Sequence, residues 1–303
     1  MADTGIVASY WTVSGPAEPA VGREWSLFGW PERCREAARA GFAGLGLWHA
    51  DIEHLLESRS LAELSKIFAD AGLSCFEAEF LTDFFADPAD PARVESDRRR
   101  RLLFDTAAAF GAHHIKVGNL LGRPRELDLV TEAFAELCQD MAANTDAQVA
   151  YEFMPFDANV RTLDAALRLV EGAAQPNGGL AIDTWHMAKL GIVPAELRRV
   201  PPQYLSWVEL SDGQLADMPD LGYETLNHRK LPGEGEFDMA GYVAAVRAAG
   251  YRGPWGVEVI SAEQRGLPID AEFRRAFETT AALLRDDQRR PDGPARPGRR
   301  RTR

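Results

Sequence analysis

Four carboxylates stand at the ends of short apolar runs in the second half of the chain, and together they could hold a divalent metal ion. The runs are VAYEFMP, LAIDTWH, SWVELSDG and WGVEVIS, and their acidic residues are Glu152, Asp183, Glu209 and Glu258. Closely spaced carboxylates cannot all stay ionised without a compensating cation. Because oxygen-only ligation suits hard ions, the pattern predicts Mn²⁺ or Mg²⁺ rather than zinc.

Three side chains near these runs are candidates for binding a substrate. His186 follows Asp183 by three residues and could ligate the metal, support a ligand or bond a substrate hydroxyl. Arg229 lies in a glycine-containing loop, HRKLPGEGEFD at 228–238, from which it could bind a substrate oxygen. Trp185 could form an aromatic wall against a sugar, although packing in the core explains a tryptophan equally well.

The runs belong to an alternation of strands and helices that extends along the whole chain. The predicted strands are 5–11, 44–48, 74–80, 113–117, 148–153, 180–183, 205–210 and 256–260, and helical patterns include 31–40, 60–71, 91–110, 127–144, 162–172 and 239–249. Such alternation is typical of a parallel α/β protein. Eight strand–helix units fill residues 1–285 without a linker, which predicts a single (β/α)8 TIM barrel, with a doubly wound sheet as the alternative.

In such a barrel the C-terminal strand ends form one face, where the carboxylates would meet. Alternation in HHIKV turns Lys116 inward, and alternation in CFEAEF places Glu77 and Glu79 together on one face. Lys116 could form a buried ion pair with Glu79, or it could hold a substrate oxygen or carboxylate. Both interpretations stay open at this point.

Charge and composition indicate which kinds of partner the protein can bind and in which cellular compartment it is expected. The 303 residues carry a net charge of −12, and the seven Arg and three Asp of 286–303 give that segment +4, which leaves −16 on residues 1–285. An acidic body disfavours nucleic acid as a partner, and the Arg/Pro/Gly-rich segment 286–303 is predicted to be disordered. No apolar run approaches the roughly 20 residues of a membrane span. Three scattered cysteines and the lack of a signal-like N-terminus predict a cytoplasmic protein.

Five segments together resemble the xylose isomerase-like TIM barrels, the sugar phosphate isomerase/epimerase superfamily, over about residues 5–285. The segments are YEF at 151–153, DTWH at 183–186, ELSD at 209–212, RKLPGEGEFD at 229–238 and GYRGPWGVEV at 250–259. The resemblance implies metal ligands at Glu152, Asp183, position 209 and Glu258. Glu209 departs from the pattern, since a histidine is common there. The resemblance also implies that Asp212 supports the ligands without touching the metal.

The resemblance further implies an activity. Glu152 and Glu258 would be both ligands and acid–base groups, removing and returning a proton next to a carbonyl through a metal-bound enediolate. This predicts an isomerase or epimerase of a small sugar or cyclic polyol, and relatives imply a possible homo-oligomer. The alternative is a dehydratase acting on an inosose or 3-dehydroshikimate. A non-catalytic binding barrel is a more remote alternative. A DNA-repair enzyme like endonuclease IV is also remote, because the chain has only six histidines and an acidic body.

Overall fold

Eight parallel strands close into a barrel in the computed structural model, which describes residues 5–288. The strands are β1 (Ile6–Ala8), β2 (Gly44–Trp48), β3 (Cys75–Leu81), β4 (His114–Gly118), β5 (Gln148–Glu152), β6 (Gly178–Asp183), β7 (Leu205–Leu210) and β8 (Trp255–Val257). They follow one another in chain order around the barrel, and β8 pairs with β1 to close it. The predicted (β/α)8 barrel is therefore confirmed, and closure rules out the open doubly wound sheet.

Helices connect the strands on the outside of the barrel. They are α1 (Trp30–Ala40), α2 (His49–Leu56), α3 (Leu61–Asp70), α4 (Pro91–Phe110), α5 (Leu127–Ala142), α6 (Leu163–Ala173), α7 (Thr184–Lys189), α8 (Pro194–Leu197), α9 (Leu221–Asn227), α10 (Met239–Ala248), α11 (Ala262–Arg265) and α12 (Ile269–Gln288). Short 3-10 helices lie at Tyr10–Thr12 and Pro202–Tyr204. Each predicted helical pattern corresponds to one of these helices to within two residues at either end.

Local chemistry explains several helix boundaries. Ser60 and Glu63 form a reciprocal capping box at the start of α3. Asp90 caps α4, whose first residue is Pro91, a favoured position for proline. Gly41 ends α1 with φ of 108°, a left-handed conformation that favours glycine.

The interior of the barrel is filled in its lower part by one large and three small side chains. Trp207 packs there against Val7, Ala150 and Ala181, and none of the four is exposed. This layer closes the barrel from below, as expected for a packed TIM-barrel core. The carboxylates of Glu152, Asp183, Glu209 and Glu258 lie above it, toward the C-terminal ends of the strands. His114 of β4 lies beside Trp207 in this layer, with the ring centroids 4.3 Å apart, and contacts Glu77 of β3.

The structure differs from the predicted elements at several boundaries. The first strand ends at Ala8, because the chain turns into the helix Tyr10–Thr12 instead of continuing to residue 11. The last strand ends at Val257, so Glu258 lies just beyond it. The final helix extends to Gln288, three residues into the segment predicted to be disordered, and residues 289–303 of that segment lie outside the described residues. Within the described residues, no helix combines the length and apolar character needed to cross a membrane.

Candidate active site

A cavity of about 410 Å³ opens at the C-terminal ends of the strands. Glu152, Glu258, His186 and Arg229 are among the polar residues that line it. Its walls are largely aromatic and aliphatic, from Trp11, Trp48, Phe80, Leu120, Leu121, Met154, Phe156 and Ile260. An apolar cavity with a few convergent polar groups is the usual form of a small-molecule site.

The four predicted ligands converge at the base of this cavity. Glu152 ends β5, Asp183 ends β6, Glu209 lies in β7 and Glu258 directly follows β8. One carboxylate oxygen of each lies within 4.8 Å of those of the other three, and all four side chains are buried. Oxygens around one divalent ion at about 2.1–2.5 Å are separated by at most about twice that distance. The donor set therefore fits a single hard cation.

Glu209 reaches this cluster because its neighbour on β8 has no side chain. Glu209 pairs in register with Gly256, where a Cβ would stand 2.9 Å from Cγ of Glu209. Ser9, which directly follows β1, donates a hydrogen bond from its Oγ to Glu209 Oε1, and the two atoms are 2.8 Å apart. A glycine on one strand and a serine on the next thus place the Glu209 carboxylate in the barrel interior.

Asp183 and Glu258 share a guanidinium. Nη1 of Arg229 donates to Asp183 Oδ2 at 2.6 Å and to Glu258 Oε2 at 3.0 Å. Its Nε and Nη2 donate to Thr225, and the guanidinium lies over the ring of Trp185, 5.0 Å from the centroid. Burial lowers the pKa of Arg229, but the neighbouring carboxylates of Asp183, Glu258 and Glu152 raise it more, so the guanidinium stays charged.

A buried ammonium group lies on the other side of the cluster. Nζ of Lys116 donates to both oxygens of Glu209 at 2.9 Å and to Glu258 Oε1 at 2.7 Å. It also lies 3.2 Å from Glu79 Oε2, so the predicted ion pair with Glu79 is present as one part of a larger arrangement. Burial lowers the pKa of Lys116, yet the surrounding carboxylates, Glu152 first, raise it well above its usual value.

Glu152 and Glu258, two of the four glutamates that line the cavity, experience opposite electrostatic effects. Burial raises the pKa of Glu152, but Lys116, His186 and Arg229 offset this and bring the pKa to about 2. Burial raises the pKa of Glu258 well above its usual value, and the attraction of Lys116 and Arg229 does not compensate. Paired carboxyl groups with separated pKa values are suited to act as a base and an acid.

His186 and Asp212 have different relations to the carboxylates. Nε2 of His186 lies 3.4 Å from Glu152 Oε1 and 3.6 Å from Asp183 Oδ2, and these three residues form a second possible ligand set. Asp212 instead accepts backbone N–H groups, namely those of Gly213, Gly233, Gly235 and Phe237. Asp212 therefore organises the loop that contains Arg229 and does not contact the carboxylates.

Four of the nine predicted site residues line this cavity, namely Glu152, His186, Arg229 and Glu258. The other five are buried and are not among the residues that line it, namely Lys116, Asp183, Trp185, Glu209 and Asp212. Residues that line it but carried no prediction include His49 and Arg99. His49 directly follows β2, so the rule that strand ends form the active face could have found it. Arg99 lies inside α4, where no sequence pattern distinguishes it from the neighbouring arginines.

The match to known families covers most of the chain. Residues 34–283 match the model of the family described as the xylose isomerase-like TIM barrel. The chain belongs to the xylose isomerase-like TIM barrel family. The resemblance carried by the strand-end motifs is thus confirmed.

Curated proteins with similar sequences are enzymes. A 3-dehydroshikimate dehydratase of Pseudomonas aeruginosa is 29% identical over 246 residues, 80% of this chain but 38% of that protein, so the chain spans well under half of that relative. An inosose isomerase of Bacillus velezensis is 23% identical over 76% of this chain and 82% of its own. The crystal structure of the IolI protein with a bound zinc atom superposes with a TM-score of 0.76 at 16% identity, covering 93% of this chain and 98% of that one, which shows a shared fold.

Proposed function

We propose that the protein is a metal-dependent isomerase or epimerase that moves a proton next to the carbonyl of a small sugar or cyclic polyol. The observation that carries this proposal is the placement of Glu152 and Glu258, whose carboxylates lie within 4.8 Å of each other and both line the cavity. Two carboxyl groups facing one small cavity can remove a proton from a substrate and return it elsewhere.

A divalent ion held by Glu152, Asp183, Glu209 and Glu258 would polarise the substrate carbonyl and its neighbouring hydroxyl and stabilise negative charge on them. Two features of these residues support the proposal of a bound ion. Oε1 of Glu152 has no hydrogen-bond partner among the described residues, so a buried oxygen is left for a ligand. All four donors are carboxylate oxygens, which favours Mn²⁺ or Mg²⁺.

The remaining residues orient the substrate and transfer the proton. Glu152 takes the proton next to the carbonyl, since this residue lines the cavity and its lowered pKa keeps the carboxylate ionised. Glu258 returns a proton, either to the same carbon from the other face or to the neighbouring carbon. His186 and Arg229, which line the cavity beside these glutamates, hold substrate oxygens, and the aromatic walls exclude water from the resulting enediolate.

Dehydration is the second candidate, and the similarity to 3-dehydroshikimate dehydratase favours it. The first step would be the same proton abstraction by Glu152. Loss of a β-hydroxyl group, protonated by Glu258, would then replace return of the proton to carbon. The aromatic walls suit a flat cyclic substrate in either case.

Proton NMR in D₂O tests the proposal directly. The Mn²⁺-loaded and Mg²⁺-loaded protein would be incubated with ketohexoses, inososes and 3-dehydroshikimate. Isomerisation or epimerisation incorporates solvent deuterium next to the carbonyl and yields a product of unchanged mass apart from the label. Loss of water without an epimer would establish the dehydratase instead.

Variants of the two glutamates locate the proton transfers. Glu152→Gln should lower the rates of both deuterium exchange and turnover by a factor of about 10²–10⁴. Glu258→Gln should reduce turnover more than exchange, since it returns the proton. If the wild-type protein binds one of these compounds but catalyses no deuterium exchange with any of them, the result would favour a binding barrel over an enzyme.

A further inference from the structure

The ammonium of Lys116 is 1% exposed and lies beside the acidic cluster. Its hydrogen bonds go to two members of the cluster, Glu209 and Glu258. Because Lys116 does not line the cavity, a substrate in the cavity meets Glu258 and not the ammonium. Its role must therefore be exerted through the carboxylates that it contacts.

Glu209 is the carboxylate most completely committed to protein donors. Oε1 accepts from Ser9 Oγ and from Lys116, and Oε2 accepts from Lys116 as well. Glu152 stands at the opposite extreme, since its Oε1 has no hydrogen-bond partner among the described residues and Lys116 is 3.9 Å from its Oε2. The four carboxylates are therefore not equivalent before any ion binds.

Among the four carboxylates, the two cations bonded to them and a divalent ion, the formal charges balance only when Lys116 is included, and Glu79, 3.2 Å from Lys116 Nζ, adds a further carboxylate beside these groups. The four carboxylates carry −4 when ionised, and Lys116 and Arg229 supply +2 within hydrogen-bond distance of them. A divalent ion supplies the remaining +2. Without the ammonium, the same site with a divalent ion would retain one uncompensated negative charge in the barrel interior, which is costly.

Lys116 also fixes the orientation of Glu258. Oε1 of Glu258 accepts from Lys116 and Oε2 accepts from Arg229, so the carboxylate is held at both ends. Lys116 is bonded to Glu209 at the same time. The position of Glu258 at the cavity is thus coupled to the contact between Lys116 and Glu209.

We propose that Lys116 and Glu209 form a dedicated charge-matched pair that sets the metal affinity of the site and positions Glu258. In this arrangement Glu209 acts first as the counter-ion of Lys116, and Glu152 and Asp183 contribute more to holding the metal. The inference rests on the proposed metal-dependent function and assigns Lys116 a positioning role in place of contact with substrate.

A titration of the purified protein with Mn²⁺ alone tests the pair, with free Mn²⁺ measured by electron paramagnetic resonance. Lys116→Met should bind Mn²⁺ at least about tenfold more tightly, because it removes a positive charge beside the site. Glu209→Gln should bind it at least about tenfold more weakly. The double variant Lys116→Met/Glu209→Gln should return to within about threefold of wild type.

Glu79 provides a matched control, because Nζ of Lys116 lies 3.2 Å from its Oε2. The variant Lys116→Met/Glu79→Gln has the same net charge as Lys116→Met/Glu209→Gln but leaves Glu209 unpaired. It should keep the tight binding of Lys116→Met. If both double variants restore wild-type affinity equally, only net charge matters, and the dedicated pair is overturned.

Two further readouts do not depend on turnover. Without metal, Lys116→Met should unfold at a lower temperature than wild type, and adding Glu209→Gln should recover part of the loss. Lys116→Arg keeps the charge and should bind Mn²⁺ within about threefold of wild type, which covers the case that Lys116→Met does not fold. Equal Mn²⁺ affinity in wild type, Lys116→Met and Glu209→Gln would overturn the pair while leaving the proposed function intact. Wild-type protein that binds no Mn²⁺ would overturn the proposed function and this inference with it.

Discussion

At the scale of single residues, the site is organised by two cations that share one carboxylate. Arg229 contacts one oxygen of Glu258 and Lys116 contacts the other. The guanidinium has several donors in a fixed plane, so it can hold Asp183, Glu258 and Thr225 simultaneously. An ammonium has no such planar geometry, which makes arginine and lysine unequal at this position.

Arg229→Lys should therefore lower kcat/KM by about 100-fold, because a carboxylate displaced by about 1 Å no longer aligns with the substrate. The measurement is steady-state turnover of whichever substrate the NMR screen identifies. Lys230→Arg is the control, since the Lys230 side chain faces solvent toward Glu263 and should leave turnover within twofold. Equal turnover in Arg229→Lys and wild type would show that the bridging geometry is unimportant.

At the scale of elements, a buried glutamate of the last helix, α12, contacts the segment that follows the first strand. Glu272 in α12 is fully buried, and its Oε1 accepts the N–H of Gly15 at 3.2 Å. Its Oε2 has no partner among the described residues. Burial raises the pKa of Glu272 well above its ordinary value of 4.5, more than the Gly15 N–H and Arg33 lower it. The folded protein consequently keeps this proton at a pH where the unfolded chain has lost it.

The sign of the resulting pH dependence follows from proton linkage. Because the folded state binds more protons, the contribution of Glu272 to stability is complete below pH 4.5 and is lost as the pH rises toward its folded pKa. Glu272→Gln cannot ionise, so its free energy of unfolding relative to wild type should increase between pH 5 and pH 8, by up to about 1.4 kcal/mol per pH unit.

Urea denaturation at the two pH values measures this difference. Glu278→Gln, a change at an exposed position of the same helix, serves as the control. Parallel stability profiles for Glu272→Gln and wild type would contradict the prediction, because they would mean that Glu272 gains or loses its proton at the same pH in both states.

At the scale of the whole molecule, the barrel brings together charges from strands that are far apart in the chain. Lys116 and Glu209 are separated by 93 positions. An ion that binds only the folded arrangement stabilises the entire fold, by about 2.7 kcal/mol at a concentration 100-fold above its dissociation constant. Mn²⁺ should therefore raise the Tm by roughly 5 °C or more.

Differential scanning calorimetry with Mn²⁺ and then with excess chelator measures this shift. Asp183→Asn should show a smaller shift, because it removes one ligand charge at the base of the cavity. Wild-type protein with the same Tm in Mn²⁺ and in chelator would argue against a metal site in the barrel.

The sequence determined the architecture and the identity of the candidate ligands. Strand and helix periodicity are local properties, so eight alternating units predicted a (β/α)8 barrel, with a doubly wound sheet as the alternative that closure of the barrel excludes. Because all parallel strands of a barrel end on one face, Glu152, Asp183, Glu209 and Glu258 could be placed together before any coordinates were known. Their ligand roles stay predictions that the Mn²⁺ titration tests.

The contacts between these groups depend on the three-dimensional structure. Alternation in β4 turned Lys116 inward, but its contacts with Glu209 and Glu258 depend on how the strands stagger when the barrel closes. The walls of the cavity combine residues of β2 and β3 with residues of loops and of α4. In the loops and in α4, side-chain direction follows from packing and not from a repeating pattern. Sequence periodicity specifies the face on which a side chain lies, whereas its partner across the barrel is set by the three-dimensional register of strands far apart in the chain.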